Sequence, residues 1–388
     1  MDTAALKDSW AIVTKSGDDV PLFFYSHLFL SHPELRSMFP VSMSQQRDKL
    51  VGALANIVTH VDELDEVMPF INSLGSDHRR FAVEPEHYDA VGASLLATLG
   101  HFLGPRWTDE LAADWTAAYG VIAKVMIDGA EKSAETTPSW WNAEVIATER
   151  RSVDVTAIHV RPDQPLPYRP GQSMAVEVPQ RPRLWRYYSP ANAPRDDGVI
   201  ELHVQVVDGG QVSTAMVRTL RKGDTVKLGA PVGEALTLDK PPERVLMVAG
   251  GTGLAPLRAV VDQIDEHWQQ NGDGPKVDLF HGARMPWNLY ADEALTALND
   301  RPWFDYHAAV SDDPSWQGLR GPVGAVAAGH GSWSGGTAYV CGSPAMVEHT
   351  VTQLTTVGGV PSADIRHEHF GDGGYQPVFA QHDAGGQS

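Results

Sequence analysis

Arg244-Val245-Leu246-Met247-Val248-Ala249-Gly250-Gly251-Thr252-Gly253-Leu254-Ala255-Pro256 decides how this chain is read. A short apolar run ends in glycines and gives way to helical spacing from about Pro256 to Trp268. That is the pattern of a buried strand, a tight loop and an amphipathic helix. Glycines let a backbone approach a pyrophosphate closely, and a helix N-terminus favours its negative charge. Further strands are expected at Val277 to His281 and Ala338 to Cys341, with helical stretches between them. Strand–helix alternation predicts a parallel sheet over residues 241–370. Cys341-Gly342-Ser343-Pro344 repeats the strand-to-loop-to-helix pattern at a second strand end.

Upstream the periodicity is different. Ala143 to Val160, Val199 to Val207 and Thr225 to Leu228 alternate in the manner of strands. Turns such as Arg169-Pro170-Gly171 and Arg221-Lys222-Gly223-Asp224 separate them. Residues 140–240 therefore read as a small antiparallel β-barrel. Within it, Arg186-Tyr187-Tyr188-Ser189 puts a cation, aromatic surface and a hydroxyl on one strand. Gly209-Gly210-Gln211-Val212-Ser213 follows and precedes an expected helix, Thr214 to Leu220. A flavin diphosphate needs these things: a cation and free backbone amides for phosphate, and a surface for the ring.

Further upstream, residues 1–132 read as all-α. Apolar residues at 50, 54, 57, 58 and 61 share a helical face, and Tyr88 to Leu103 and Leu111 to Ile127 behave alike. Ser42 and Ser44 are expected to cap the helix that carries Gln46. The prolines here are expected mostly between helices. The stretch Asp128 to Ser139 is polar and ends in Pro138-Ser139, which suggests a linker, with 133–139 its core. Residues 371–388 read as a disordered tail. The fold class is thus multidomain: an all-α domain, an antiparallel barrel and an α/β parallel-sheet domain.

The formal net charge of -19 is spread through the chain and argues against nucleic acid as a partner. A single cysteine, Cys341, excludes an internal disulfide and a Cys-rich metal site. No apolar run is long enough to span a membrane, and no signal peptide is apparent. A cytoplasmic protein with no obligatory protein partner is expected.

The order of these parts resembles the bacterial flavohaemoglobins, a globin joined to a ferredoxin-reductase-like module. The resemblance rests on Phe24-Tyr25-Ser26-His27-Leu28-Phe29, Pro33 to Phe39, Gln46-Arg47, Asp77-His78-Arg79-Arg80-Phe81 and His87 to Gly92, together with the motifs above. It implies haem b, FAD and NAD(P)H as cofactors. It makes His78 the proximal ligand to the haem iron. Tyr25 and Gln46 become the distal pair, Phe39 the haem wedge, Leu50 an apolar distal wall and Tyr88 a proximal partner. In the barrel, Arg186, Tyr187, Tyr188, Ser189 and the run Gly209, Gly210, Gln211, Val212, Ser213 would hold FAD. Gly250, Gly251, Thr252 and Gly253 would hold NAD(P)H. Cys341 and Gly342 would lie beside the nicotinamide, and Glu368 with Phe370 at the flavin face.

There are departures from the family. Lys132 stands where relatives carry a glutamate that bonds the proximal histidine, with Glu131 adjacent. Ser173 and His369 replace a frequent aromatic and a frequent cysteine. Arg284 follows the second strand of the nucleotide domain and could meet a 2'-phosphate, but no basic or serine cluster accompanies it, so NADH and NADPH both stand, with a slight lean to NADH. The resemblance implies nitric oxide dioxygenation, with nitric oxide and oxygen as small-molecule ligands. Two alternatives stand beside it: a flavin–haem reductase or dehydrogenase with another substrate, and haem-based binding or sensing of oxygen or nitric oxide.

Overall fold

The computed structural model describes residues 1–239 and 242–370, so the expected tail at 371–388 lies outside the described residues. The chain divides into two compact units, Met1–Trp140 and Trp141–Ser388.

The first unit is helical: α1 (Thr3–Val13), α2 (Asp19–Ser31), α3 (Ser44–Thr59), α4 (Leu64–His78), α5 (Pro85–Leu103) and α6 (Asp109–Ala134). Its main core gathers Leu6, Trp10, Phe24, Leu28, Leu99 and Trp115. A second cluster, with Ile57, Ile71, Val125 and Met126, lies where α4 meets α6. There the two backbones nearly touch. A Cβ on Gly75 would fall on the Met126 carbonyl oxygen, and one on Gly129 would lie 2.6 Å from the Asn72 carbonyl oxygen. Only glycine permits that approach. Ser76 Oγ donates to the Gly129 carbonyl at 3.1 Å across the contact. Arg79, just past α4, reaches Ser133 Oγ at 2.9 Å and the Thr137 carbonyl at 2.7 Å. The end of α4 is therefore pinned to the end of α6.

Three local expectations change. The helix α6 continues through Asp128 to Ala134, because its one glycine in that stretch is used for packing and no proline occurs before Pro138. Ser44 is the first residue of α3, whose cap position is Met43 without a side-chain cap; Ser42 Oγ pairs with Ser44 Oγ instead. Pro69 sits inside α4 rather than between helices.

The second unit begins with a barrel: β1 (Trp141–Arg150), β2 (Val155–Pro162), β3 (Met174–Glu177), β4 (Arg186–Tyr188), β5 (Ile200–Gln205), helix α7 (Gln211–Arg218) and β6 (Thr225–Leu228). The six strands are antiparallel in the order β4-β3-β6-β1-β2-β5. A bridge between Pro190 and Leu202 brings the two edges together and nearly closes the barrel. Trp141, Ile158, Met174, Leu202 and Leu228 fill its interior, and α7 adds Val212 and Met216. That helix starts at Gln211, three residues before the expected Thr214, because Gly210 takes the cap position.

Next comes a parallel sheet: β7 (Arg244–Gly250), helix α8 (Leu254–Asn271), β8 (Lys276–Ala283), α9 (Asp292–Thr296), β9 (Phe304–Val310), β10 (Leu319–Arg320), α10 (Val323–His330), β11 (Thr337–Gly342), α11 (Pro344–Thr356) and β12 (Ile365–His369). The strand order is β10-β9-β8-β7-β11-β12, all parallel. The order reverses between β7 and β11. Ligands of open α/β sheets bind outside the strand C-termini at such a switch point. Cores cover both faces of the sheet, one with Leu257, Val261 and Trp303, the other with Phe280, Trp333 and Leu354.

Candidate functional site

In the helical unit, Tyr25 comes from the middle of α2 and is buried against Phe24, Phe29 and Phe39, with Phe39 edge-on at 5.6 Å. Its hydroxyl donates to the Gln46 carbonyl at 3.3 Å. Burial pushes the phenol up to about 12, so it stays a donor at any physiological pH. Leu50, one turn beyond Gln46 on α3, lines an apolar cavity with Trp10, Phe24 and Leu54. Tyr25 thus meets Phe39 and the backbone carbonyl of Gln46, and Leu50 lies with Phe24 on the neighbouring cavity.

His78 is the last residue of α4. Its Nδ1 lies 2.6 Å from the Leu74 carbonyl oxygen. A carbonyl only accepts, so Nδ1 carries the proton and Nε2 keeps a lone pair. Burial lowers the imidazole pKa, which keeps the ring neutral. A neutral, oriented imidazole with a free Nε2 is the donor that haem iron takes from a globin helix, and His78 fits that demand. Tyr88 packs in the cluster with Leu74 and Ile71, and its carbonyl accepts from the Tyr119 hydroxyl at 2.6 Å. Glu131 and Lys132 are both exposed on α6. The backbone carbonyl of Leu74 is thus the partner of His78 where a carboxylate was sought.

In the barrel, β4 pairs with β3 in the register Val176–Arg186 to Met174–Tyr188. Arg186 and Tyr188 share one face by strand alternation, with Tyr187 on the other. Tyr188 packs against the barrel core, and burial raises its phenol. Ser189 is buried and, among the described residues, its Oγ has no hydrogen-bond partner. A buried hydroxyl without a partner is costly unless a ligand satisfies it, which fits a flavin edge at this strand end. Gly209, at φ +73, turns the chain into α7. No side chain caps that helix, so the amides of its first turn remain for an anion. Ser213 Oγ is 3.4 Å from the Val207 amide and folds back on the loop.

At the sheet's switch point, Gly250 ends β7 and Gly251–Gly253 form a single 3₁₀ turn into α8. A Cβ on Gly253 would collide with the Cys341 carbonyl, so this turn packs directly on the end of β11. Gly251 has φ +53. Cys341 pairs with Glu368 across β11 and β12, and the Phe370 amide donates to the Gly342 carbonyl at 3.0 Å. Burial, with Glu368 adding to it, raises the Cys341 thiol, so it is an uncharged packing group. Burial also raises Glu368, to about 7. The glycine turn, Cys341, Gly342, Glu368 and Phe370 are thus brought to one end of the sheet. Arg284, exposed after β8, is ion-paired through Nε to Asp312 at 2.9 Å.

Sequence reasoning missed a buried polar group in this unit: Glu201, His203, His281 and Tyr290. The available signal was weak: Glu201, His203 and Gln205 alternate with apolar residues along a strand whose polar positions 201 and 203 are buried too.

These sites define an oxidoreductase in which a haem-binding globin and an FAD- and nicotinamide-binding reductase share one chain. Residues 22–126 match the globin family, 142–236 the oxidoreductase FAD-binding domain and 247–352 the oxidoreductase NAD-binding domain. The chain is 30% identical to a flavohemoprotein of Bordetella parapertussis, over 80% of this chain and 82% of that protein. It is 26% identical to a flavohemoprotein of Bacillus subtilis, over 94% and 96%. A flavohemoglobin from Malassezia yamatoensis, solved with bound FAD and heme, superimposes with a TM-score of 0.74 at 16% identity, covering 95% of this chain and 98% of that one. The chain belongs to the flavohemoprotein family, with haem, FAD and NAD(P)H as its cofactors. Among the described residues no helix is long and apolar enough to cross a membrane.

Proposed function

We propose that this chain is a nitric oxide dioxygenase driven by NAD(P)H, in which nitric oxide and oxygen become nitrate. The observation that carries this reading is the Tyr25 hydroxyl, buried in an aromatic wall and held at Gln46. Nitrate forms from nitric oxide and oxygen with one added electron, so each hydride supports two turnovers. When bound, FAD splits the hydride pair into single electrons, and haem b supplies one-electron iron chemistry and oxygen binding. The chain does the rest. His78 offers a neutral Nε2 fixed by the Leu74 carbonyl. Tyr25 keeps its proton, which it gives to the Gln46 carbonyl here and would turn to bound oxygen, while Phe24 and Leu50 line an apolar cavity beside it. The α7 N-terminus and Arg186 would hold the FAD phosphates, and Ser189 would meet the ring edge. The Gly250–Gly253 turn would hold the nicotinamide dinucleotide. Asp312 occupies Arg284, which supports NADH as the donor: a 2'-phosphate would have to displace a carboxylate.

The Leu74 carbonyl favours a second reading. A carbonyl makes a histidine less basic than a carboxylate does, and ligand basicity governs how strongly oxygen is activated. With Glu131 and Lys132 exposed, the site also suits a flavin–haem reductase or dehydrogenase that serves another substrate. Nitric oxide consumption under air, with and without NADH, separates the two. A rate that NADH accelerates many-fold supports the dioxygenase; equal slow rates remove it.

A further inference from the structure

The sequence 286–290 after β8 touches the flavin-binding barrel at two points. Asp154, in the β1–β2 turn, accepts from Gln205 on β5 at 2.7 Å and from Asn288 at 3.3 Å. Two residues on, the Tyr290 hydroxyl is 2.9 Å from His203 Nδ1 on β5. His203 Nε2 is in turn 2.9 Å from Glu201 Oε1. The proton positions follow from chemistry. Burial would raise the Glu201 carboxyl, but the His203 bond and the charge of Arg258 hold it at about 2, so it is a carboxylate and only accepts. Nε2 of His203 therefore donates to it. Burial keeps His203 neutral, Nδ1 accepts, and the Tyr290 hydroxyl donates. Arg151, Arg195 and Arg258 stand 3.6–3.8 Å from Glu201 and fix the carboxylate in place.

From Tyr290 the contact continues to the glycine turn. The Tyr290 ring meets His281 edge-on, 5.6 Å between centroids. His281 is fully buried at the end of β8, and its Nε2 donates to the Gly251 carbonyl at 3.2 Å. Among the described residues its Nδ1 has no hydrogen-bond partner. One hydrogen bond alone leaves an imidazole free to pivot, so the Tyr290 ring supplies the second constraint. Gly251 also lies against the barrel directly: a Cβ there would be 3.4 Å from Gln205 Oε1.

We propose that Glu201, His203, Tyr290 and His281 are positioning residues that hold the Gly250–Gly253 turn at a fixed place on the flavin-binding barrel, setting the approach of nicotinamide to flavin. The inference rests on the reading of this unit as a nicotinamide–flavin reductase. Hydride transfer depends steeply on the alignment of the two reacting atoms, and a small displacement from a remote change slows it sharply. A group that sets alignment acts on the rate at saturation; a group that merely binds acts on the half-saturating concentration.

Tyr290→Phe removes the hydroxyl and keeps the ring on His281. In the full chain loaded with FAD, anaerobic stopped-flow mixing with NADH reads the limiting rate of flavin reduction and the NADH concentration at half-saturation. The expected result is a limiting rate lower by about tenfold, with half-saturation changed by less than about twofold. FAD content and melting temperature stay as in the wild type, and His203→Ala reproduces the kinetic effect. Asn288→Ala, which cuts the other tether of the same loop, adds less to Tyr290→Phe than it costs alone. An unchanged limiting rate in Tyr290→Phe overturns the proposal, as does a loss that tracks falling FAD content. Wild-type protein whose flavin neither NADH nor NADPH reduces would instead remove the reductase reading, and the proposal with it.

Discussion

His78 is the residue on which the haem reading turns. Its Nδ1 is committed to Leu74 and its ring is neutral. His78→Ala should abolish the Soret band after haem supply and leave bound FAD unchanged, as absorbance spectra of the purified variant would show. Loss of both cofactors would mean that the residue supports folding rather than haem. Glu368 gives a pH signature. Burial holds it at about 7, so it is mostly neutral below that pH and mostly a carboxylate above it. Hydride loss leaves the nicotinamide ring cationic, and a neighbouring carboxylate favours that charge. Flavin reduction should therefore speed up as pH rises through about 7, and Glu368→Gln should be slow and flat across that range in stopped-flow traces. Asp312 offers a test of donor choice. Asp312→Asn removes the carboxylate that engages Arg284 and should shift the ratio of kcat/KM for NADPH over NADH upward by about tenfold. An unchanged ratio would leave Arg284 without a part in selectivity.

Elements explain why His78 sits where it does. The α4–α6 contact depends on Gly75 and Gly129, with backbone against backbone. Gly129→Ala should destabilise the helical unit by about 1–3 kcal/mol through overpacking and weaken haem retention, measured by thermal melting and by haem transfer to an acceptor protein. Elements were also what the sequence displayed best. Repeated apolar faces located α3, α5 and most of α6, and the glycine run located the β7–α8 turn. Its limits have physical causes. The stretch from Asp128 reads as a polar linker, but Gly129 packs on α4, so α6 runs past the expected end at Ile127 to Ala134. Gly210 reads as a loop residue but caps α7, so that helix begins early. The group around His203 was hidden for another reason: its partner Tyr290 lies 87 residues away, and no local pattern encodes such a pairing.

At the scale of the whole molecule, three cofactor sites lie on two compact units, the globin on one and the barrel and parallel sheet on the other. Each site answers a different requirement. A neutral histidine suits iron, an uncapped helix start with an orphaned serine suits a flavin diphosphate, and a glycine turn at a switch point suits a dinucleotide. Joined in one chain, they are the stations that the proposed passage of electrons from nicotinamide through flavin to haem requires. The dioxygenase and reductase readings both need that path and differ only in what is consumed at its end. The direct test is the absorbance spectrum of the purified protein, mixed with NADH in the absence of oxygen under carbon monoxide. The account predicts that the flavin bands bleach and the Soret band then moves to that of the ferrous carbon monoxide complex, with no other reductant present. A bleached flavin beside a haem that stays ferric would contradict it.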